Sequence, residues 1–296
     1  MCARGGKLLV MSWHDGAAAV ATLTFDVDAE TPILARGRRY ADHLMTMSHQ
    51  GYGPDVGVPR ILQLLDELAV PATFFVPGWV AEWRPEMVAT IVEHGHEIAH
   101  HTYSHRAPVS LDVSQERADF ERGLAVFEKQ GVEIKGYRAA LWEAGRNTYA
   151  LLAEHGLLYD SSLMGDDRPY LLDLGESTIV ELPVHWSLDD WEQYAFLPEP
   201  DVGSVIESPR KVLELWRAEL DGMRRYRCLF NLCMHPFLSG RPGRLEALRE
   251  LIEYAQGCGD VRFARCRDVA EAAAVDADVR KSPLPDVHAD PAVYPD

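Results

Sequence analysis

Short apolar strands alternate with amphipathic helices along most of this 296-residue chain, and this alternation constrains its fold most strongly. Runs rich in β-branched and aromatic residues are followed by segments with the spacing of a helix. We predict strands at residues 19–25, 72–76, 97–99, 136–138, 179–183, 229–234 and 261–263, and helices at residues 58–68, 85–94, 114–130, 146–155, 209–224 and 244–254. Such alternation builds parallel βα units, and about seven of them in one chain predict a closed or nearly closed α/β barrel.

The barrel is expected to occupy residues 1–281 as a single domain, because no linker-like stretch divides them. Residues 282–296 are rich in proline and aspartate and are expected to form a poorly packed tail. Residues 31–57 show no sustained period and are interrupted by glycine and proline. We predict a long loop there, and long loops in compact domains are usually functional.

The charge and the cysteines limit the partners and the compartment. Lys and Arg number 29 against 46 Asp and Glu, so the formal charge is −17. Such a surface repels phosphate backbones and anionic membranes, and we expect neither nucleic acid nor a membrane as partner. The apolar run at residues 8–11 is too short for a secretory signal, and no stretch is long enough to span a membrane. Five cysteines without a CxxC pair indicate reduced thiols, and we predict a cytoplasmic protein.

Polar side chains follow two predicted strands, where barrels of this type carry their chemistry. Asp26 and Asp28 follow the first strand, and alternate residues of an extended chain point to one side. His101 and His105 follow the third strand, and on a helical turn both would face one metal ion. Asp28, His101 and His105 would leave open positions for water and substrate, as in catalytic zinc sites. We predict a divalent metal ion, preferably zinc. Taken alone, the DxD motif of Asp26 and Asp28 is more often a helix cap, and the HxxxH motif of His101 and His105 often arises by chance.

Two further strand ends complete a reaction scheme. A metal ion would polarise a carbonyl and acidify its bound water. Asp26 would accept the proton of that water as general base, and Arg138 would hold Asp26 ionised. His235 would protonate a leaving nitrogen, which an amide requires because an amide anion is a very poor leaving group. This arrangement predicts hydrolysis of a carbon–nitrogen bond.

Aromatic and acidic residues near these positions have two interpretations each. We predict that Trp142 and Trp186 bind the substrate, the alternative being that they are partly buried core residues. Asp189 or Asp190 could orient His235, since a catalytic imidazole usually has a carboxylate behind it. The alternative, an exposed acidic loop, is slightly favoured.

In their order along the chain, these motifs resemble those of the polysaccharide deacetylase superfamily, which includes the nodulation-type deacetylases and carbohydrate esterase family 4. The matching segments are TFDVD at 24–28, HTYSH at 101–105, RAALW at 138–142 and LCMHP at 232–236. The resemblance implies a distorted (β/α)7 barrel with a general base, three metal ligands and a general acid. These roles fall on Asp26 as base, on Asp28, His101 and His105 as ligands, and on His235 as acid.

Four other segments resemble one branch of that superfamily. They are VGVPR at 56–60, YDSSLM at 159–164, ELPVHWSLDD at 181–190 and SGRP at 239–242. The branch holds intracellular peptidoglycan-deacetylase-like proteins, cyclic imidases and metal-independent allantoinases, and it implies a homo-oligomer, with a tetramer favoured. Two departures from the superfamily pattern are Val27 between the aspartates and Ala140 in place of a proline.

We therefore expect a metal-dependent hydrolase of non-peptide carbon–nitrogen bonds that acts like a polysaccharide deacetylase. The N-acetyl group would be removed by metal-activated water, with an aspartate base and a histidine acid. An alternative is a cyclic imide or amide hydrolase, imidase-like or allantoinase-like, with a small cytosolic substrate. A third possibility is a barrel that binds a ligand without turnover, since a fold cannot by itself name an activity.

Overall fold

The computed structural model describes residues 12–287, 289–290 and 293, and it contains one ten-stranded sheet and a small hairpin. The strands of the sheet are β1 (Ala19–Asp26), β2 (Thr73–Val76), β3 (Glu97–His100), β4 (Gly136–Tyr137), β5 (Tyr159–Asp160), β6 (Tyr170–Asp173), β7 (Thr178–Glu181), β10 (Leu229–Met234), β11 (Val261–Phe263) and β12 (Lys281–Pro283). The hairpin pairs β8 (Phe196–Pro198) with β9 (Asp201–Ser204).

Helices connect the strands and cover the sheet. They are α1 (Thr31–Leu34), α2 (Leu44–Tyr52), α3 (Val58–Leu68), α4 (Gly78–Trp83), α5 (Pro85–Glu93), α6 (Val113–Lys129), α7 (Arg146–Glu154), α8 (Trp191–Tyr194), α9 (Pro209–Tyr226), α10 (Pro236–Ser239), α11 (Pro242–Cys258) and α12 (Cys266–Val275). The longer predicted helices are all present, within a few residues of the predicted bounds.

The strand order confirms the predicted distorted (β/α)7 barrel. Seven strands pair in parallel in the order β10-β1-β2-β3-β4-β5-β7. The ring closes between β7 and β10 through an isolated bridge between Asp189 and Cys233. Asn231 Nδ2 reinforces this seam by donating to the backbone oxygens of Leu182 and Pro183, at 3.2 and 3.0 Å. β11 pairs with β1, β6 with β7 in antiparallel, and β12 with β6.

The central strand β1 explains how the sequence leads to a polar interior. Its eight residues AVATLTFD are all buried, as expected for a parallel strand covered on both faces. Leu23 and Phe25 face the hydrophobic core under the helices. The alternate residues Thr22 and Thr24 face the interior, where they donate hydrogen bonds to Asn231 Oδ1 and to the Leu232 carbonyl, both at 2.9 Å. Asp26 continues this polar row to the end of the strand.

The prediction of a long loop over residues 31–57 is wrong. The segment folds into α1, a 3-10 helix (Arg38–Asp42), α2 and a π turn (Gly53–Gly57) that runs directly into α3. The glycines that suggested a loop instead allow close packing, since a Cβ on Gly53 would lie 3.1 Å from the Phe237 nitrogen, and the prolines stand in the first turns of helices. The buried apolar residues Ile33 and Tyr40 pack against the β8–β9 hairpin, a distant contact that local periodicity does not reveal.

Both ends of the chain bear on the predicted domain limits. The apolar run at residues 8–11 lies outside the described residues. β12 pairs with β6 in the register Lys281–Leu171 to Pro283–Asp173, so the sheet continues across the predicted boundary at 281/282. The single-domain assignment over 1–281 stays a prediction.

The four described cysteines are free thiols, and no helix in the described part of the chain is long and apolar enough to cross a membrane.

Candidate active site

A cavity of about 130 Å³ opens at the carboxyl ends of β1, β3 and β10. Seven of the eight predicted site residues line it. They are Asp26, Asp28, His101, His105, Trp142, Trp186 and His235. The eighth, Arg138, is fully buried directly behind Asp26. The structure thus brings together in one place side chains that are more than 200 residues apart in sequence.

Asp28, His101 and His105 form a buried cluster suited to a metal ion. Asp28 Oδ1 lies 3.4 Å from His101 Nε2, and Asp28 Oδ2 lies 3.2 Å from His105 Nε2. Neither carboxylate oxygen receives a hydrogen bond from a described residue, although both are buried. Burial opposes the ionisation of Asp28, yet the neighbouring imidazoles of His105 and His101 hold its pKa well below the usual value. A buried anionic oxygen facing two imidazole nitrogens is the donor set that a divalent zinc-like ion requires.

The backbone at the second motif differs from the predicted helical turn. Thr102 and His105 have positive φ angles of 62° and 56°, so the chain makes a tight loop there. The His105 backbone N–H donates to Thr102 Oγ1 at 2.9 Å and closes this loop. The two imidazole rings still meet, with centroids 5.1 Å apart. His101 Nδ1 donates to the Arg138 carbonyl at 2.8 Å, which fixes the ring so that Nε2 faces Asp28.

Asp26 lies between Arg138 and the cluster of Asp28, His101 and His105. Arg138 Nη1 is 2.7 Å from Asp26 Oδ1. Asp26 Oδ2 faces the other way, 3.7 Å from His101 Nε2 and 3.5 Å from Cys233 Sγ. Burial opposes the charge of Arg138, but Asp26 and the surrounding groups raise its pKa, so the guanidinium stays protonated. One oxygen of Asp26 is therefore held in an ion pair while the other is directed toward the cluster.

His235 stands on the opposite side of the cluster and is held by Asp190. His235 Nδ1 lies 2.7 Å from Asp190 Oδ1, and the His235 backbone N–H donates to the same carboxylate at 2.9 and 3.0 Å. Ser239 Oγ donates a short hydrogen bond to Asp190 Oδ2. Burial opposes protonation, but the hydrogen bond and charge of Asp190, with the charges of Asp189 and Asp28, raise the pKa of His235 to about 10.

The exposed-loop interpretation of Asp189 and Asp190 is wrong, because both are buried. Asp190 orients His235, whereas Asp189 Oδ1 is 3.6 Å from His235 Nδ1 and accepts the Trp191 N–H at 2.8 Å. Burial raises the pKa of Asp189 to about 7. The sequence prediction also did not place Glu192 in the cavity wall. In the sequence, the only indication that this segment reaches the cavity was an acidic pair before a tryptophan, and the segment has no helical periodicity.

We expect Asp190→Asn to lower kcat by about 10²- to 10⁴-fold. The carboxylate accepts the ring and backbone hydrogens of His235 with two oxygens, whereas the amide has only one acceptor oxygen. Asp189→Asn is the comparison, since its carboxylate lies beyond hydrogen-bonding distance of the ring. Initial rates of both variants, with circular dichroism to check folding, measure the effect. Equal rates in Asp190→Asn and the parent protein would rule out this positioning role.

Tryptophan side chains form the wall of the cavity. Trp142 and Trp186 stack with ring centroids 4.6 Å apart, and Trp191 packs against His235 at 5.1 Å. Trp186 is 49% exposed at the mouth, while Trp142 is buried against Val184 and Cys233. Trp142 is therefore both a core residue and a wall of the cavity. Its backbone and that of Leu141 have positive φ angles of 58° and 59°, a costly conformation for such residues, and both residues line the cavity.

Two glycines of the VGVPR and SGRP segments pack beside the residue that follows His235. A Cβ on Gly57 would lie 2.3 Å from the Pro236 carbonyl oxygen. A Cβ on Gly240 would lie 2.4 Å from the same oxygen and 2.6 Å from the Gly57 Cα atom. Only a residue without a side chain fits between these backbones. The two segments therefore fix the turn that carries His235.

We expect Gly57→Ala to destabilise the protein by about 1–3 kcal/mol or more, because the added methyl group forces the Pro236 backbone away. The matched control is Gly222→Ala in α9, where a Cβ meets no atom within 4 Å. That change should stabilise by about 0.5–1 kcal/mol, as alanine does in a helix interior. Denaturant titration of both variants tests the pair, and equal stabilities would contradict the packing argument.

Comparison with known proteins identifies the family. Residues 48–159 match the polysaccharide deacetylase family. A crystal structure from Mycobacterium smegmatis, assigned to the polysaccharide deacetylases, is 49% identical, covers 93% of this chain and 97% of its own, and has a TM-score of 0.88. This chain belongs to the polysaccharide deacetylase superfamily. It is a hydrolase that acts on carbon–nitrogen bonds other than peptide bonds.

Two further proteins of known name are similar to this chain in sequence or in fold. A peptidoglycan deacetylase of Helicobacter pylori is 29% identical over 247 residues, 74% of this chain and 84% of its own. A solved allantoinase is 23% identical, covers 91% of this chain and 97% of its own, and has a TM-score of 0.77. The second likeness shows the shared barrel fold. Deacetylases of this superfamily are generally metal-dependent, and the candidate ligand atoms of Asp28, His101 and His105 all lie within 4.8 Å of one another.

Proposed function

We propose that this deacetylase superfamily member is a metal-dependent hydrolase that removes the acetyl group from an N-acetylated amino sugar. One observation carries the proposal. The buried cluster of Asp28, His101 and His105 lies between an aspartate held by an arginine and a histidine held by a second aspartate. A base on one side and an acid on the other are what amide hydrolysis by water needs.

Asp28, His101 and His105 would hold the metal ion, for which zinc is the preferred candidate. When bound, such an ion supplies polarisation of the amide carbonyl and acidification of water. Asp26 Oδ2 accepts the proton of the attacking water, since its other oxygen is engaged by Arg138. Arg138 holds Asp26 stationary through their ion pair before the proton arrives.

His235 completes the reaction. Its Nδ1 is engaged by Asp190, so the proton on Nε2 is available to the cavity. His235 is protonated near neutral pH because its pKa is raised to about 10. It donates that proton to the amide nitrogen as the C–N bond breaks, so that water and amide become acetate and amine. Trp142 and Trp186 would stack on a ring of the substrate.

The alternative substrate is a small cyclic imide or amide. Two observations favour it: the cavity is only about 130 Å³ in volume, and tryptophans close several of its sides. The solved neighbour named as an allantoinase shares the barrel. The same base, metal ligands and acid would serve this reaction, because an imide ring also opens by attack of water on a carbonyl and protonation of nitrogen.

The deciding experiment measures two products from one zinc-loaded sample. Acetate release from tri-N-acetylchitotriose, without opening of succinimide, would support the deacetylase. Opening of succinimide without acetate release would replace it with the cyclic imide hydrolase. No turnover of either compound, or of a wider panel of acetamides and imides, would favour a barrel that only binds.

We further propose that the protein works in the cytoplasm as a homo-oligomer, with a tetramer favoured. The free thiols of the four described cysteines support a reducing compartment. The oligomer follows from the resemblance of the VGVPR, YDSSLM, ELPVHWSLDD and SGRP segments to one branch of the superfamily. Its substrate would be a small molecule or an acetylated sugar, in keeping with the formal charge of −17.

A further inference from the structure

Two buried carboxyl groups lie next to each other behind the active site. Asp160 at the end of β5 pairs in register with Glu181 at the end of β7, and both side chains are fully buried. Ser162 contacts both carboxyl groups, since its Oγ donates to Asp160 Oδ1 at 2.8 Å and its backbone N–H donates to Glu181 Oε1 at 3.0 Å. They belong to the YDSSLM and ELPVHWSLDD segments, and the proposed reaction gives neither of them a role.

The hydrogen bonds of this pair are complete except at one atom. Asp160 Oδ1 accepts from Ser162 Oγ at 2.8 Å, and Asp160 Oδ2 accepts from Tyr149 OH at 2.9 Å. Glu181 Oε1 accepts the backbone N–H groups of Ser162 and Leu163, at 3.0 and 2.9 Å. Glu181 Oε2 is buried without a donor among the described residues. A proton on Oε2, donated to Asp160, would satisfy this oxygen and remove the repulsion between the two carboxylates.

The described cations near the pair do not contact its carboxyl groups: Arg138 donates to the Ser161 turn and Arg280 lies over the ring of Tyr170, 4.9 Å from its centroid. The ionisable side chains that face it are Tyr137 from β4, Tyr149 from α7 and Tyr170 from β6, all neutral at ordinary pH. Over the described residues, neither carboxyl group forms an ion pair with a Lys, Arg or His. Burial and the charge of Asp160 raise the pKa of Glu181 well above its usual value.

The pair is connected to Arg138 through the turn at Ser161 and Ser162. Arg138 Nε donates to the Ser161 carbonyl at 3.1 Å, and Arg138 Nη2 donates to Ser161 Oγ at 3.0 Å. The next backbone N–H, that of Ala139, donates to Ser162 Oγ at 2.9 Å. The same Ser162 hydroxyl donates to Asp160, so one turn contacts the carboxyl pair on one side and Arg138 on the other.

We propose that Asp160 and Glu181 share a single proton and that this pair is the positioning device for Arg138. The proton-sharing pair holds the Ser161–Ser162 turn, the turn holds the guanidinium, and the guanidinium holds Asp26. The shared proton is independent of the reaction, whereas the effect on turnover rests on the proposed function. Asp160 and Glu181 are positioning residues and do not reach the cavity.

Glu181→Gln tests the shared proton without any assay of activity. The amide can donate to Asp160 and accept from Ser162 and Leu163, so it reproduces the protonated glutamate and cannot titrate. In the parent protein the folded state holds one proton more than the unfolded state from about pH 5 up to the raised pKa of Glu181, so stability falls as pH rises through this range. We expect its unfolding equilibrium constant, relative to that of Glu181→Gln, to rise about tenfold per pH unit. Equal pH dependence from pH 5 to 8 in denaturant titrations would overturn the shared proton.

Turnover of the same variants tests the positioning of Arg138. With tri-N-acetylchitotriose or succinimide, whichever the parent hydrolyses, Glu181→Gln should keep kcat and KM within about twofold, because it retains every contact. Ser162→Ala removes the hydroxyl that joins Asp160 to the Ala139 N–H and should lower kcat about tenfold with KM nearly unchanged, since only alignment is lost. Glu181→Leu should lower kcat further if it folds.

The outcomes separate this proposal from the proposed function. An unchanged kcat in folded Ser162→Ala would overturn the positioning role. A rise in KM at constant kcat would also overturn it, because the turn would then affect binding alone. If the parent hydrolyses neither compound, the proposed function fails while the pH dependence of unfolding still decides the shared proton.

Discussion

Asp28→Ala is expected to abolish metal binding and to lower kcat by more than about 10³-fold, because the remaining two imidazoles supply too few ligands for a catalytic zinc site. The measurement is the metal content of untagged protein by elemental analysis, together with initial rates. The parent should contain nearly one equivalent of zinc or another transition metal per chain.

The matched control for this loss is Asp26→Asn, which changes a neighbouring carboxylate outside the proposed ligand set. It should keep its metal while losing activity. Loss of metal in both variants would place Asp26 among the ligands. A parent protein that stays empty on incubation with zinc would exclude the proposed mechanism and favour a metal-independent hydrolase or a barrel that only binds.

Asp26→Asn is expected to lower kcat by about 10²- to 10⁴-fold, the usual cost of removing a general base. The side chain keeps its shape, and Arg138 keeps its hydrogen bonds to Thr24 and to both oxygens of Ser161. The variant should therefore fold, which circular dichroism checks, and its KM should change little. Unchanged turnover would remove Asp26 from the role of base.

Much of the fold could be predicted because its main elements carry local signals. β1 is a continuous apolar run that ends in charge, and helices such as α9 repeat apolar residues at helical spacing. Residues 31–57 lacked such a signal, because their burial depends on the distant β8–β9 hairpin and on glycine contacts with Pro236 and Phe237. Contacts across nearly 200 residues leave no local period in the sequence.

The residues of the candidate site could be predicted from the sequence, whereas the backbone geometry that arranges them could not. Ligand types and positions after strands were enough to select His101 and His105, but not to find the positive φ angles that bring them together. Arg138 was predicted to hold Asp26, and the structure places Arg138 Nη1 2.7 Å from Asp26 Oδ1. The choice between Asp189 and Asp190 remained open because adjacent residues differ only in which way their side chains point, and the seam of the barrel decides that.

The seam between β7 and β10 couples closure of the barrel to formation of the His235–Asp190 pair. It is closed at the bridge between Asp189 and Cys233, and the Asp190 N–H donates to the Cys233 carbonyl at 3.1 Å. Asp190 directly follows Asp189, and His235 lies two residues after Cys233, so the two side chains face each other across the same seam. A molecule whose ring opens here keeps its helices and most of its sheet but separates the imidazole from its carboxylate. Ring closure and the assembly of this histidine–aspartate pair are therefore one and the same event.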